Sequence, residues 1–173
     1  IEACLQSLLA QEVQGIQYEI VIVDDESMDG TEAKILEFLS AYSDLTNPSI
    51  QSVRKVNKGL SCARNFGIKL ARAELVSFID EDALADEYFV ENVVQLFEKN
   101  SSINCIGGKV ELLNRENWFA RLLQSSIFSY YMNDQKSVIG TNMSFRKAFL
   151  EKFGGFQKQF TRRGDESAFF AKS

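Results

Sequence analysis

The sequence predicts an α/β fold in which a mainly parallel β-sheet carries helices on both faces. Runs rich in β-branched residues at 18–23, 50–56 and 74–79 alternate with stretches whose apolar residues recur at helical spacing. Acidic residues directly follow the first and third of these runs. Strand-helix alternation is typical of parallel sheets, whose ligands bind at the carboxyl ends of the strands. We therefore expect the functional site at that edge.

Each predicted element follows from its own pattern. The opening residues have an amphipathic helical spacing that ends near Gly15. Turn and capping residues at Asp29 and Thr31 begin the second helix, and the turn at Gly59 begins the third. We predict helices over residues 1–12, 31–42, 60–70 and 86–99, and extended segments over 18–23, 50–56, 74–79 and 103–113.

Composition excludes several classes of protein. The chain has 173 residues, 45% of them hydrophobic, which fits one globular domain. The 19 Lys plus Arg against 24 Asp plus Glu give a net charge of −5, so we expect no nucleic-acid partner. The absence of His excludes Ser-His-Asp and Cys-His catalysis. The 3 cysteines are far apart and support neither a disulfide framework nor a zinc site, which favours a reducing compartment.

Aromatic and aliphatic side chains crowd residues 118–131. So many apolar side chains must be buried against something. The segment could pack under the edge of the sheet, form an acceptor-binding surface or contact a membrane interface. Arg115 and Arg121 are the only cations in residues 114–131, so packing and acceptor contact are favoured over membrane binding. The chain has no apolar run of the roughly 20 residues that a membrane span needs.

Two acidic clusters follow predicted strands. Asp24 and Asp25 cannot both point into the core, so at least one is available to a ligand. Asp80 and Asp82 flank Glu81 after the third strand, and clustered carboxylates suit Mg²⁺ or Mn²⁺ shared with phosphate oxygens. In the first segment only Asp29 and Thr31 are better explained as helix caps, whereas the second cluster could instead be an acidic loop that caps the next helix. The second gains weight because it lies one strand-helix-strand unit after the first.

Two further segments carry chemistry. In residues 57–67 a glycine turn precedes a helix, whose N–H groups can bind an anion while Lys58 and Arg64 add positive charge. The segment lacks the Gly-Lys-Ser/Thr ending of a Walker A loop. Near the end of the sequence, Asp165 and Glu166 could include a general base, although a solvated helix start is the simpler interpretation of that pair alone.

Together, in order and spacing, these segments resemble the family 2 glycosyltransferases that use nucleotide-diphospho-sugars. The segments that carry the resemblance are VDDESMDGT, NKGLSCARNFG, FIDED, GTNMSFRKAFLEKFGGF and RGDESAFFAK. It implies a GT-A, Rossmann-like fold, and residues 1–173 would form a single catalytic domain that is truncated at both ends. It also implies inversion at the anomeric carbon. Glu26 stands where the family has a glycine.

The resemblance also implies the roles of the donor-binding residues. Asp25 would bind the nucleobase with Asp24 beside it, and Lys58 and Arg64 would lie on the nucleotide side of the cleft.

The same resemblance implies which residues bind the metal ion and which act as the general base. Asp82 would be the main ligand of Mg²⁺ or Mn²⁺, supported by Asp80. Glu166 falls where the family has its catalytic Asp, and Asp165 where it has the preceding Glu, so the base is one of these two. The implied partners are a nucleotide-diphospho-sugar and a glycan or lipid-linked acceptor, at the cytoplasmic face of a membrane with which the protein would associate peripherally.

The family's first strand has no counterpart in the sequence, and neither does its part beyond Ser173. We therefore expect an unpaired edge in the sheet. Two rival interpretations stay open at this point. One is a nucleotidylyltransferase on a related α/β fold, and the other is a non-catalytic signalling domain whose acidic pair holds Mg²⁺. The second leaves residues 57–67 and 154–167 unexplained.

Overall fold

The computed structural model describes residues 1–111, 113, 116, 140–159 and 169. The elements in chain order are α1 (Glu2–Leu9), β1 (Glu19–Asp24), α2 (Thr31–Ala41), β2 (Ser49–Arg54), α3 (Leu60–Leu70), β3 (Leu75–Phe78), α4 (Phe89–Lys99), β4 (Cys105–Gly107), β5 (Met143–Arg146) and α5 (Lys147–Lys152). The predicted helices and the first three strands are confirmed. The extended segment predicted over 103–113 is a strand only at β4, and α4 begins later than predicted.

The strands β1 and β2 form the parallel pair that the sequence predicts. Their register runs from Glu19 opposite Ser49 to Asp24 opposite Arg54. Side chains alternate across β1, so Ile20 and Ile22 are buried against α1 and α2, in one core with Leu5, Ile35 and Phe38. On the other face, α3 lies close enough that a Cβ at Gly67 would be 3.6 Å from Val23 Cγ2. Helices therefore cover both faces, as expected.

The expectation of a mainly parallel sheet is confirmed only in part, because the other described strands pair differently from β1 and β2. The strands β3, β5 and β4 form a separate sheet in that order, and both of its pairings are antiparallel. The reason is β5, a strand that the sequence reading missed, which inserts between β3 and β4 and runs opposite to both. Its residues Met143, Ser144 and Phe145 are almost completely buried, so it forms the centre of this sheet.

An aromatic core holds β5 to the segment that follows α5. The ring centres of Phe145 and Phe156 are 6.2 Å apart, and those of Phe145 and Phe169 are 5.7 Å apart. Both pairs have edge-to-face geometry. Asn65 of α3 donates to the carbonyl of Phe156 at 2.7 Å and accepts from its N–H at 2.8 Å. These two bonds fix α3 against the same segment.

At the amino end of β1, Glu19 ties that strand to the start of β3. Its carboxylate accepts hydrogen bonds from the backbone N–H groups of Arg72 at 2.6 Å and Ala73 at 3.0 Å, and the Arg72 guanidinium lies 3.1 Å away. Burial alone would raise the pKa of Glu19, but these donors outweigh it and the pKa is lowered. The strands β1 and β3 thus begin side by side.

None of the helices in the described part of the chain is long and apolar enough to cross a membrane. The three cysteines are free thiols. Burial raises the pKa of Cys105 to about 12 and also raises the pKa of Cys4. Because the thiolate is the nucleophilic form, these two side chains are packing residues near neutral pH.

Candidate active site

The two adjacent carboxylates after β1 have different surroundings. Asp24 is buried, with 4% of its surface exposed. It accepts a hydrogen bond from the Ser27 N–H at 2.8 Å and pairs with the Arg54 guanidinium at 3.2 Å. Arg54 also donates to the Ser27 carbonyl at 3.1 Å. Asp24 therefore shapes the turn after β1, and these contacts account for its burial without a ligand.

Asp25 connects the end of β1 to the beginning of α3. Its carboxylate pairs with the Lys55 ammonium and accepts from the backbone N–H groups of Gly59 at 2.9 Å and Lys58 at 3.3 Å. Its side chain keeps 20% of its surface exposed. A carboxylate has about four acceptor sites, so Asp25 retains capacity for a further donor. The contact from Lys58 comes from its backbone, and the residue itself is exposed.

Glu26 occupies a backbone conformation that explains why a glycine suits this position. Its φ is +67°, in the left-handed region that costs an ordinary L-residue about 1–2 kcal/mol. The Glu26 carboxylate accepts from the Asn57 N–H at 3.1 Å, a bond that a glycine could not make. The strained turn and this bond hold residues 25–27 against the loop that leads into α3.

Arg64 links α3 to the carboxyl end of β3. Its side chain is 7% exposed, and its Nη2 lies 3.6 Å from Asp80 Oδ1. The guanidinium also lies over the rings of Phe78 and Phe156, at 6.0 and 5.6 Å from their centres. The other oxygen of Asp80 accepts from the Thr141 hydroxyl at 2.6 Å. Two of the predicted site residues, Arg64 and Asp80, are thus brought together.

The remaining acids of this cluster are open to solvent. Glu81 and Asp82 are both exposed just beyond β3. Within the described residues, no group of three or more Asp, Glu, Cys or His side chains could hold a metal ion. Mg²⁺ and Mn²⁺ need only one or two protein carboxylates when substrate phosphates supply other ligands. An exposed Asp82 next to an anchored Asp80 fits that kind of shared site.

The structure does not describe the remaining predicted site residues. Asp165 and Glu166 lie outside the described residues, and so do residues 118–131. Phe169, three positions after Glu166, is described and is completely buried.

Sequence reasoning missed the residues that hold the predicted ones in place: Arg54, Lys55 and Thr141. The parallel register was the available signal for the first two, because it sets Arg54 directly opposite Asp24 at the ends of β2 and β1. Charged residues after the second strand therefore meet the acidic pair after the first. Thr141 follows a glycine in a segment that the resemblance already included, yet no local pattern distinguishes it.

The fold is that of the GT-A glycosyltransferases. The chain belongs to glycosyl transferase family 2, whose family model matches residues 1–154.

One relative is the glucosyl-dolichyl phosphate glucuronosyltransferase of Haloferax volcanii, which is 25% identical over 171 residues, covering 94% of this chain and 52% of the relative. The chain thus spans about half the length of that protein.

Solved structures agree on the fold. The mannosyltransferase PcManGT from Pyrobaculum calidifontis, solved with GDP-Man and Mn²⁺, superposes with a TM-score of 0.74 at 23% identity, over 99% of this chain and 46% of that one. The TarS protein of S. aureus, residues 1–349 with UDP, gives a TM-score of 0.64 at 21% identity, over 98% of this chain and 49% of that one.

Proposed function

We propose that the protein transfers a sugar from a nucleotide-diphospho-sugar to an acceptor hydroxyl, with inversion at the anomeric carbon. The observation that carries the proposal is the arrangement of α3 within a family 2 domain. Asp25 holds the beginning of α3 at the end of β1, and Arg64 further along the helix contacts Asp80 at the end of β3. One helix thus connects the two acidic strand ends at a single edge, where such sheets bind ligands.

On the donor side, Asp25 accepts a hydrogen bond from an N–H group of the nucleobase, in addition to its contacts with α3. Lys58 is exposed next to this position, and its ammonium would pair with the diphosphate. Asp24 contributes indirectly, because its bonds to Ser27 and Arg54 set the turn that presents Asp25. Arg64 lies on the nucleotide side and holds Asp80.

Mg²⁺ or Mn²⁺ would be held by Asp82, with Asp80 as the supporting carboxylate. When bound, the ion neutralises negative charge on the diphosphate leaving group. The protein's own part is to orient these carboxylates. Arg64 and Thr141 each bond one oxygen of Asp80, which fixes the turn on which Asp82 lies.

Glu166 or Asp165 acts as the general base. The carboxylate removes the proton from the acceptor hydroxyl as its oxygen attacks the anomeric carbon, while the bond from that carbon to the diphosphate breaks. Attack from the face opposite the leaving group inverts the configuration. Phe169, three positions after Glu166, has its ring buried among the aromatic residues around β5.

We propose a lipid-linked or other glycan acceptor, used at the cytoplasmic face of a membrane with which the protein associates peripherally. The support is the name of the Haloferax volcanii relative, which includes a dolichyl phosphate. The nucleotidylyltransferase and signalling-domain interpretations are not favoured, since the family match covers most of the chain.

The proposal is tested by incubating the protein with a panel of nucleotide-diphospho-sugars, acceptor glycolipids and Mn²⁺, and measuring nucleoside diphosphate release and the anomer formed. We expect release with one donor and an inverted product. A nucleotidylyltransferase would instead form pyrophosphate from a nucleoside triphosphate and a sugar phosphate. That result, or retention of configuration, would contradict the proposal.

The same assay separates the two candidate bases. If Glu166 is the base, Glu166→Gln keeps donor affinity but loses transfer by roughly 10²-fold or more, while Asp165→Asn loses less. The reverse ranking would move the role to Asp165. Full activity of both variants would remove the acid pair from the mechanism.

A further inference from the structure

The Asp25 carboxylate has most of its acceptor positions occupied. A carboxylate accepts about four hydrogen bonds, shared equally between its two oxygens. The Lys55 ammonium and the Lys58 N–H, the latter at 3.3 Å, both bond Oδ1, and the Gly59 N–H bonds Oδ2 at 2.9 Å. Among the described residues these are the only donors to Asp25. Oδ1 is therefore filled, and Oδ2 keeps a single position for a ligand.

Two of the three donors are backbone groups that cannot turn away from Asp25. The N–H groups of Lys58 and Gly59 lie where α3 begins. The Gly59 carbonyl accepts from the Ala63 N–H at 3.1 Å in the first turn of that helix. The start of α3 therefore fixes both N–H groups, and the positions that they occupy on Asp25 are not available to a ligand.

The third donor, Lys55, is held by burial and by a second bond. Its side chain is 14% exposed, and its ammonium also donates to the Val56 carbonyl at 3.0 Å. Separating a mostly buried ammonium from its carboxylate partner is costly, so Lys55 stays on Oδ1 when a ligand binds. An ammonium has one N–H group more than these two contacts use. Lys55 thus offers a single donor next to the single free acceptor of Asp25.

The nucleobases differ in how well they complement this donor and acceptor. Uracil and thymine have one ring N–H between two carbonyl oxygens, so they need one acceptor with a donor beside it. Guanine has a ring N–H next to an amino group, and a carboxylate that binds both needs a free position on each oxygen. Cytosine and adenine have an unprotonated ring nitrogen in place of the N–H, which a carboxylate repels.

We propose that Lys55 makes Asp25 selective for a base with a single ring N–H, so that the donor nucleotide carries uracil or thymine rather than guanine. This inference rests on the proposed function, in which Asp25 binds the nucleobase, and adds the identity of the base. Oδ2 accepts the ring N–H, and Lys55 donates to the neighbouring carbonyl oxygen. Because Oδ1 is occupied, the guanine amino group would have no acceptor on Asp25, and an unpaired polar group lowers affinity.

The fold itself does not decide the base, because its solved structures include one with GDP-Man and one with UDP. The test is calorimetric titration of UDP, dTDP, GDP and inosine diphosphate into the protein with Mn²⁺. Inosine diphosphate is GDP without the amino group, so this pair isolates that group at constant ring size. We expect UDP or dTDP to bind about 10-fold or more tightly than GDP, and inosine diphosphate to bind at least as tightly as GDP.

Substitutions of Lys55 test its role in this selection. Lys55→Met retains an unbranched side chain but frees a position on Oδ1, so GDP should become tighter than inosine diphosphate and the preference for UDP should largely disappear. Lys55→Arg keeps a charged donor and should retain that preference. Lys69→Met removes a lysine at an exposed position of α3, and this matched control should leave all the affinities unchanged.

Three outcomes would count against the account, and they differ in what they overturn. If GDP binds wild type as tightly as UDP and more tightly than inosine diphosphate, the amino group has an acceptor, such as the exposed Glu26 beside Asp25. The base assignment then fails while the proposed function stands. An unchanged preference for UDP in Lys55→Met would overturn the role of Lys55. Failure of all the nucleotides to bind wild type would contradict the proposed function itself.

Discussion

At the scale of single residues, strand alternation separates two neighbouring carboxylates that the sequence presents as a pair. Asp24 points toward Arg54 and is buried, whereas Asp25 is turned to the beginning of α3 and stays partly exposed. An acidic pair at the edge was predictable from the strand that precedes it. The assignment of one residue to the turn and the other to the cleft was not, since it depends on cations contributed by β2.

The first prediction concerns the nucleobase contact. Asp25→Ala should weaken binding of a nucleoside diphosphate and of the free nucleoside by a similar factor, about 1.5–3 kcal/mol, because one hydrogen bond to a charged group is lost. Calorimetric titration measures both affinities. Asp29→Ala is the control, since the Asp29 carboxylate accepts a hydrogen bond from the Thr31 hydroxyl at 2.7 Å in an exposed turn. Unchanged nucleoside affinity in Asp25→Ala would reject the contact.

The second prediction concerns the pH dependence contributed by Glu19. Its pKa is lowered from an ordinary value of 4.5, so its ionised form stabilises the fold. This contribution is present above pH 4.5 and is lost as the pH falls through the lower, folded-state pKa. Glu19→Gln should therefore reduce the free energy of unfolding at pH 7 by about 1–3 kcal/mol.

Chemical denaturation of both proteins at pH 7 and at pH 3 measures this effect. The difference between wild type and Glu19→Gln should shrink at pH 3, because below pH 4.5 the Glu19 carboxyl becomes protonated in the unfolded chain and its lowered pKa in the folded protein contributes less to stability. Glu37→Gln, at an exposed position of α2, should differ little from wild type at either pH. A difference for Glu19→Gln that is the same at both pH values would contradict the assignment.

At the scale of elements, the strands that the sequence predicts and the one it does not predict differ in their patterns. The strand β1 is a β-branched run ending in acids, which is a strong local signal. The sequence of β5 is only MSFR, with a Ser and an Arg among four residues. Its burial depends on partners far along the chain, such as the Ser77 hydroxyl, which lies 2.7 Å from that of Ser144. The local sequence around β5 does not indicate such a distant partner.

The third prediction uses two neighbouring glycines after α5. Both have positive φ, +74° at Gly154 and +70° at Gly155, so alanine at either costs about 1 kcal/mol or slightly more. A Cβ at Gly154 meets nothing within 4 Å, whereas one at Gly155 would lie 2.2 Å from Asn65 Oδ1. Gly155→Ala should therefore also break the two bonds between Asn65 and Phe156.

Comparing the two alanine variants isolates the contribution of the two hydrogen bonds between Asn65 and Phe156. We expect Gly155→Ala to be about 1–3 kcal/mol less stable than Gly154→Ala in urea denaturation, the sum of two lost hydrogen bonds. Equal stabilities would mean that the Asn65 bonds do not hold α3 to this segment.

At the scale of the whole molecule, the sequence predicts the α/β class, the parallel β1–β2 pair and the edge that carries the site. It also predicts an unpaired strand edge, but it does not predict that the described strands form two separate sheets. Helical and strand periodicities describe each segment alone, but pairing between β3, β5 and β4 is a non-local choice. The same limit applies to the contact between Arg64 and Asp80, which lie on α3 and at the end of β3.

We propose above that this edge binds the diphosphate of a nucleotide sugar through a metal ion held at Asp82. The most direct measurement is calorimetric titration of the donor into wild type, Asp82→Asn and Glu81→Gln, each with Mn²⁺ and with EDTA. We expect Mn²⁺ to strengthen donor binding to wild type and to Glu81→Gln, and to have no effect on Asp82→Asn, because a neutral amide cannot replace the charge of the carboxylate at a hard cation. The same manganese dependence in Asp82→Asn as in wild type would contradict the account.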